Sequence, residues 1–224
     1  MSDHPFRVGF LINPIAGMGG RVGLHGTDGS LYLEAEKLGA KPASAARAAI
    51  TLACISTDAP WELITAPGPM GEELLVSPHV NKSLKARSRT LEIKLSNPTS
   101  AIQTQEVVKA LIDENVDLIL FAGGDGTARD IFAIIHDSLP MVGIPAGVKM
   151  RSGVFGLHPG DVATLLSRAI EEHQRFKSVR TATAEILDLP PSASVDHYST
   201  SEFFGVAKTI YAPEMCIRDS RLRF

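Results

Sequence analysis

Asp117-Leu118-Ile119-Leu120-Phe121-Ala122-Gly123-Gly124-Asp125-Gly126-Thr127 is the stretch on which the reading of this chain turns. An apolar run of strand character enters a turn of three glycines around one carboxylate. A helical pattern follows at once, with Ile131, Ile134 and Ile135 at i, i+3, i+4 spacing. A strand that feeds a helix through a glycine turn suits an anion. The glycines admit backbone N–H groups to close range, and the helix N-terminus adds partial positive charge. Asp125 breaks that pattern, since a carboxylate repels phosphate. Three readings fit it: a proton acceptor for a hydroxyl, a metal ligand, or an Asx-type turn residue.

Upstream of this hinge, Ser100 and Gln103 have capping-box spacing at the start of a helix striped by Val107, Val108, Leu111 and Ile112. That helix leads into the central strand and completes a β-α-β unit, whose crossover is expected to be right-handed. Strands are expected at Phe6 to Ile12, Trp61 to Thr65 and, as an alternating edge strand, Thr90 to Leu95. Helices are expected over Leu31 to Leu38, Ala43 to Ser56 and Met70 to Val76. Trp61 and Cys54 read as core residues. Lys82, Lys85, Arg87 and Arg89 read as a solvated basic face. Downstream, Met141 to Ile144 reads as another strand. Asp161 is placed to cap a helix with Val162, Leu165, Leu166, Ala169 and Ile170 on one face, ending near His173. Val179 to Leu187 alternates again, as in the first strand of a β-rich region. The fold class is therefore α/β: a three-layer Rossmann-like parallel sheet with flanking helices, followed by the start of an all-β region.

Loops after successive strands of such a sheet are candidate ligand sites. The first, Asn13 to Gly20, carries Gly17, Gly19 and Gly20, with Asn13 placed to hold the loop or bond a nucleotide. It continues through Arg21 to Ser30, where Thr27 and Asp28 are further candidates. The second is the hinge itself: Gly123, Gly124, Gly126 and Thr127, the last placed to bond a phosphate oxygen or cap the helix. Asp130, one turn on, reads as an exposed helix residue. The third loop, after Ile144, presents Lys149, Arg151 and Ser152 for phosphate contact.

Composition bounds the classes open to the chain. Its 224 residues, 44% hydrophobic and 21% charged, suit one large globular domain or one domain and part of a second. A net charge of −3 gives no electrostatic case for nucleic acid. Two isolated cysteines, Cys54 and Cys216, make neither a disulfide framework nor a zinc site. The start Met1-Ser2-Asp3-His4-Pro5 lacks a basic segment followed by an apolar core, and no apolar run has membrane-span length. Cytoplasm is the expected compartment, with no membrane partner. No H-E-x-x-H or C-x-x-C pattern suggests a metal centre, and neither G-x-x-x-x-G-K-[ST] nor G-x-S-x-G occurs.

Gly123-Gly124-Asp125-Gly126-Thr127 resembles the GGDGT signature of the NAD kinase and diacylglycerol kinase superfamily. With Asn13-Pro14-Ile15-Ala16-Gly17-Met18-Gly19-Gly20 and Gly143-Ile144-Pro145-Ala146-Gly147-Val148-Lys149-Met150, the chain resembles its ATP-NAD kinase/AcoX-like branch over roughly residues 6 to 185. The Gly-Thr-x-Asn-Asp run of the lipid kinases is not found. In the AcoX-like branch, Lys stands where this chain has His25 and His where it has Arg151. His25 reads here as a solvated loop residue, and Arg151 remains suited to phosphate.

The resemblance implies an ATP-dependent kinase that phosphorylates the ribose 2′-hydroxyl of NAD to give NADP, with Mg²⁺ carried on ATP. Asp125 would orient or deprotonate the hydroxyl. It also implies that residues 1–177 form the nucleotide-binding domain and 178–214 the beginning of an all-β C-terminal domain. Met215-Cys216-Ile217-Arg218-Asp219-Ser220 resembles an artefactual run, so 215–224 is expected to be a non-native tail on a C-terminally truncated chain. An apolar face left by a missing β domain predicts self-association as a homo-oligomer, or poor solubility. The family's downstream Asn-Glu or Asn-Asp pair has no counterpart, because no Asn follows Asn115. Two alternatives stand beside NAD: a kinase of the same fold acting on a lipid or small metabolite, and a nucleotide-binding module without catalysis.

Overall fold

The computed structural model describes residues 4–17, 37, 42–95, 99–147, 150–189 and 201–212. Seven strands are described: β1 (Phe6–Ile12), β2 (Trp61–Thr65), β3 (Arg87–Thr90), β4 (Leu118–Gly123), β5 (Met141–Pro145), β6 (Thr181–Asp188) and β7 (Glu202–Ile210). The described helices are α1 (Ser44–Cys54), the short α2 (Glu72–Leu75) and α3 (Pro78–Ser83), α4 (Ala101–Asp113), α5 (Asp125–Ile135) and α6 (Pro159–Phe176).

Five strands form one parallel sheet in the order β3-β2-β1-β4-β5. Its central strands are apolar along their length because both faces are covered. Phe6, Val8, Phe10, Leu118, Leu120, Val142 and Ile144 meet α1 and α6 on one side. Leu11, Ile64, Ile119, Phe121 and Met141 meet α4 and α5 on the other. The alternation along each strand thus sorts side chains between two cores, which gives the three-layer architecture. The strands β6 and β7 pair antiparallel as a separate two-stranded sheet. Ala184, Ile186 and Ala207 on its inner face join the α4–α5 side core. Phe203 and Val206 remain exposed. Among the described residues no helix is long and apolar enough to cross a membrane.

Several expectations are corrected. Pairing at the sheet edge covers Arg87–Thr90, and the Leu91 N–H to Thr65 oxygen bond (2.8 Å) closes it. The apolar positions Leu91, Ile93 and Leu95 pack on the core beyond the end of β3. Cys54 is exposed, because α1 buries Ser44, Ala48, Thr51 and Leu52 and its last residue faces away. The helix expected to start at Asp161 begins at Pro159 and runs to Phe176. Asp161 is instead its third residue, reaching back to accept the His158 N–H at 3.0 Å. Asp130 is partly buried and pairs with Arg129 at 3.4 Å. Trp61 is buried, as its place in β2 predicts. The helix expected over 31–38 lies, but for one residue, outside the described residues.

Candidate active site

The order β2-β1-β4 places the two crossovers from the sheet centre on opposite sides, which opens a crevice at the carboxyl ends of β1 and β4. The chain leaves β1 at Asn13 and β4 at Gly124. Hydrogen bonds draw these exits together. The Asn13 N–H donates to the Ala122 oxygen (2.9 Å), and the Asn13 side-chain amide donates to Thr127 Oγ1 (2.9 Å). Asn13 Oδ1 accepts the Ile15 N–H at 3.2 Å, so this residue holds the first loop in shape. The third loop joins through the Ala146 N–H, which donates to the Gly123 oxygen at 3.0 Å. Gly17 sits at φ +83°, and a Cβ there would collide with the Ala146 carbonyl oxygen. Only glycine lets the first and third loops approach this closely.

The hinge is the first turn of α5, with Gly124 at the N-cap. N–H groups at a helix start have no intrahelical acceptor, and the helix dipole makes this end attractive to phosphate. Thr127 is buried and receives the Asn13 amide, so its hydroxyl ties two loops together. Asp125 is 7% exposed. Its Oδ1 accepts the N–H groups of Ser152 (2.8 Å) and Arg151 (3.1 Å), and Oδ2 shares the Arg151 N–H at 2.9 Å. Burial raises its pKa from the ordinary 3.8, against the opposing pull of these two N–H groups, the Ser152 side chain and the Arg151 charge. A carboxylate has about four lone-pair sites, so two N–H donors leave room for a substrate hydroxyl.

Of the residues read from the sequence as candidates, Asn13, Gly17, Gly123, Gly124, Asp125, Gly126, Thr127 and Ser152 are described, and the structure brings them to one end of the sheet. Gly19, Gly20, Thr27, Asp28, His25 and Lys149 lie outside the described residues. Ser152, expected to present its hydroxyl to phosphate, is instead fully buried, with Oγ bonded to Leu187. Sequence reasoning missed that connection, because Ser152 and Leu187 are far apart in the chain and carry no shared motif. It also missed Met150. Its side-chain methyl lies where Cβ atoms on Gly124 and Gly147 would point, over the hinge.

A cleft of about 380 Å³ lined by His4, Trp61, Arg87 and Lys177 lies at the other, amino end of the strands. The glycine loops and the start of α5 are at the opposite, carboxyl end, the end at which open α/β sheets bind ligands. Among the described residues no group of three or more His, Cys, Asp or Glu side chains gathers as a metal site.

The family model described as ATP-NAD kinase N-terminal domain matches residues 8–174. That span contains all three loops of the site. No curated protein and no solved structure matches the chain.

Proposed function

Because this chain belongs to the NAD kinase family, we propose that it transfers the γ-phosphoryl group of ATP to the ribose 2′-hydroxyl of NAD, giving NADP. The observation that carries the reading is a buried carboxylate, Asp125, set in the first turn of a glycine-flanked helix at the sheet's switch point. A site built only to bind phosphate gains nothing from that negative charge. Phosphoryl transfer does, because the attacking hydroxyl must be oriented and must lose its proton.

In this reading the start of α5 and the glycine turn bind phosphate oxygens, and Mg²⁺ arrives as part of the ATP substrate. Asn13, Gly17, Gly19, Gly20, Thr27, Asp28 and Lys149 complete or shape the nucleotide-binding surface. Asp125 accepts a hydrogen bond from the 2′-hydroxyl and then its proton. The hydroxyl oxygen forms a bond to the γ-phosphorus, the β,γ-bridging P–O bond breaks, and ADP leaves with the magnesium. We assign residues 1–177 to the nucleotide-binding part and 178–214 to the start of a second, β-rich part. The two isolated cysteines are in keeping with a cytoplasmic enzyme.

One observation favours a second acceptor class: no Asn follows Asn115, so the family's downstream Asn-Glu or Asn-Asp pair is not present. The deciding experiment is a coupled assay for NADP formation from NAD, ATP and Mg²⁺. Turnover is expected, and Asp125→Ala should lower kcat by about 10²- to 10⁴-fold while nucleotide affinity holds or rises. ATP consumption only with another hydroxyl compound would replace NAD as the acceptor. Nucleotide binding with no turnover on any acceptor would make the chain a binding module.

A further inference from the structure

The segment 150–156 stitches together elements that share no strand. On one flank, the Gly143 N–H donates to the Val154 oxygen (2.9 Å) and the Gly156 N–H to the Gly143 oxygen (3.2 Å), along the outer edge of β5. On the other, the Gly153 N–H donates to the Glu185 oxygen at 2.8 Å. Ser152 Oγ donates to the Leu187 oxygen (2.8 Å) and accepts the Leu187 N–H (3.1 Å). Glu185 and Leu187 alternate along β6, so these bonds use the strand edge turned away from β7. Leu187 also sits where the β6–β7 register shifts, between Ile186 and Leu187. Between its two flanks the segment turns the Arg151 and Ser152 N–H groups onto Asp125.

We propose that Ser152 is a positioning residue for Asp125, whose hydroxyl fastens the 150–153 segment to the edge of β6 so that two backbone N–H groups aim the carboxylate. Ser152 is fully buried, which leaves its hydroxyl no route to a nucleotide. A backbone N–H pair supported only by a loop would wander. Fastened to a strand through both polar groups of Leu187, it is held as firmly as the sheet. The edge of β6 thus sets the direction in which Asp125 presents its free lone pairs. The inference rests on the role given to Asp125 above and adds the device that orients it.

Burial raises the Asp125 pKa, while the backbone N–H groups of Ser152 and Arg151, the Ser152 side chain and the Arg151 charge lower it. Arg151 on the same segment carries the opposing charge. On its own helix, Arg129 pairs with Asp130 and with Asp188 of β6. Loss of the two N–H donors would leave burial less opposed.

The test compares wild type, Ser152→Ala and Ser152→Thr by the carboxyl-carbon titration of Asp125 in nuclear magnetic resonance, alongside the pH profile of kcat/KM. In Ser152→Ala the Asp125 titration and the acid limb of the profile should both move up by about one pH unit, with Ser152→Thr near wild type. Ser152→Cys, which keeps the size but bonds weakly, should shift in the same direction and replaces Ser152→Ala if that variant does not fold. An unmoved Asp125 titration in the Ala or Cys variant overturns the proposal, even if stability falls, since Ser152 would then be structural only. The titration needs no turnover. A wild type that phosphorylates nothing would sink the proposed function while this readout still decides the role of Ser152.

Discussion

Asp125 is where opposing terms meet in one side chain. Burial works against its charge, while two backbone N–H groups, the Ser152 side chain and Arg151 favour it, and the balance raises its pKa above 3.8. For an acid with a raised folded-state pKa, the folded state holds its proton more tightly. Its contribution to stability is full below the unfolded value and is lost as pH rises through the folded value. His173 runs the other way. Burial lowers its pKa from 6.5, ahead of the raising effect of Asp117, so its contribution is full above that value and is lost as pH falls. Wild type should therefore gain stability relative to Asp125→Ala as pH drops from 7 toward 4, measured as the difference in denaturant midpoint. Taking the difference removes His173, which is common to both proteins. A flat difference would show that Asp125 is not held in a raised state. The motif made Asp125 legible as the odd residue of the turn. The N–H partners that oppose its burial lie 26 and 27 positions away in sequence and were not legible.

At the level of elements, the alternation and helical spacing carried through wherever burial was one-sided or complete. Strands β1, β2, β4 and β5 and helices α1 and α4 to α6 fall where the apolar pattern puts them, but Ile112, expected on the buried stripe of α4, is exposed. The capping box is present, with the Ser100 N–H donating to Gln103 Oε1 at 2.7 Å. The edge strand was misplaced because its residues Arg87, Ser88, Arg89 and Thr90 are polar. They pair through backbone, and charge anchors them: Arg89 bonds Glu62 (3.1 Å) and Glu114 (2.6 Å). The 154–156 crossing depends on Gly143. A Cβ there would collide with the Phe155 ring, which packs edge-on to Phe121 at 5.4 Å between centroids. Gly143→Ala is expected to cost about 1–3 kcal/mol by overpacking, read from the denaturant midpoint. No loss would mean that Phe155 can move aside freely.

Over the whole molecule, the two sheets are joined by specific ties as well as by the shared apolar core. Arg129 on α5 bonds Asp188 of β6 at 2.6 Å and lies 5.6 Å from the Phe204 ring centroid. Phe132 on the same helix faces Gly205, where a side chain would collide with the ring. With the Ser152 connection, these contacts bind the small sheet to the helix that carries the hinge. Arg129→Leu should weaken this junction by about 1.5–3 kcal/mol. Amide exchange should then accelerate in β6 and β7 with little change in β1 and β4. Equal acceleration in both sheets would show that the junction is not a local unit.

By itself, the sequence determined the α/β class, the parallel core strands and the glycine turn, because those depend on local backbone freedom and on short-range periodicity. It also marked Asn13 and Asp125, which stand out against loops of small residues. Only the tertiary structure decided what these residues bond: Asn13 to Thr127, Asp125 to the Arg151–Ser152 backbone, and Ser152 to Leu187. Those bonds join segments brought together by sheet order and crossover. A backbone N–H or a serine hydroxyl bears no mark in the sequence of the partner it will meet.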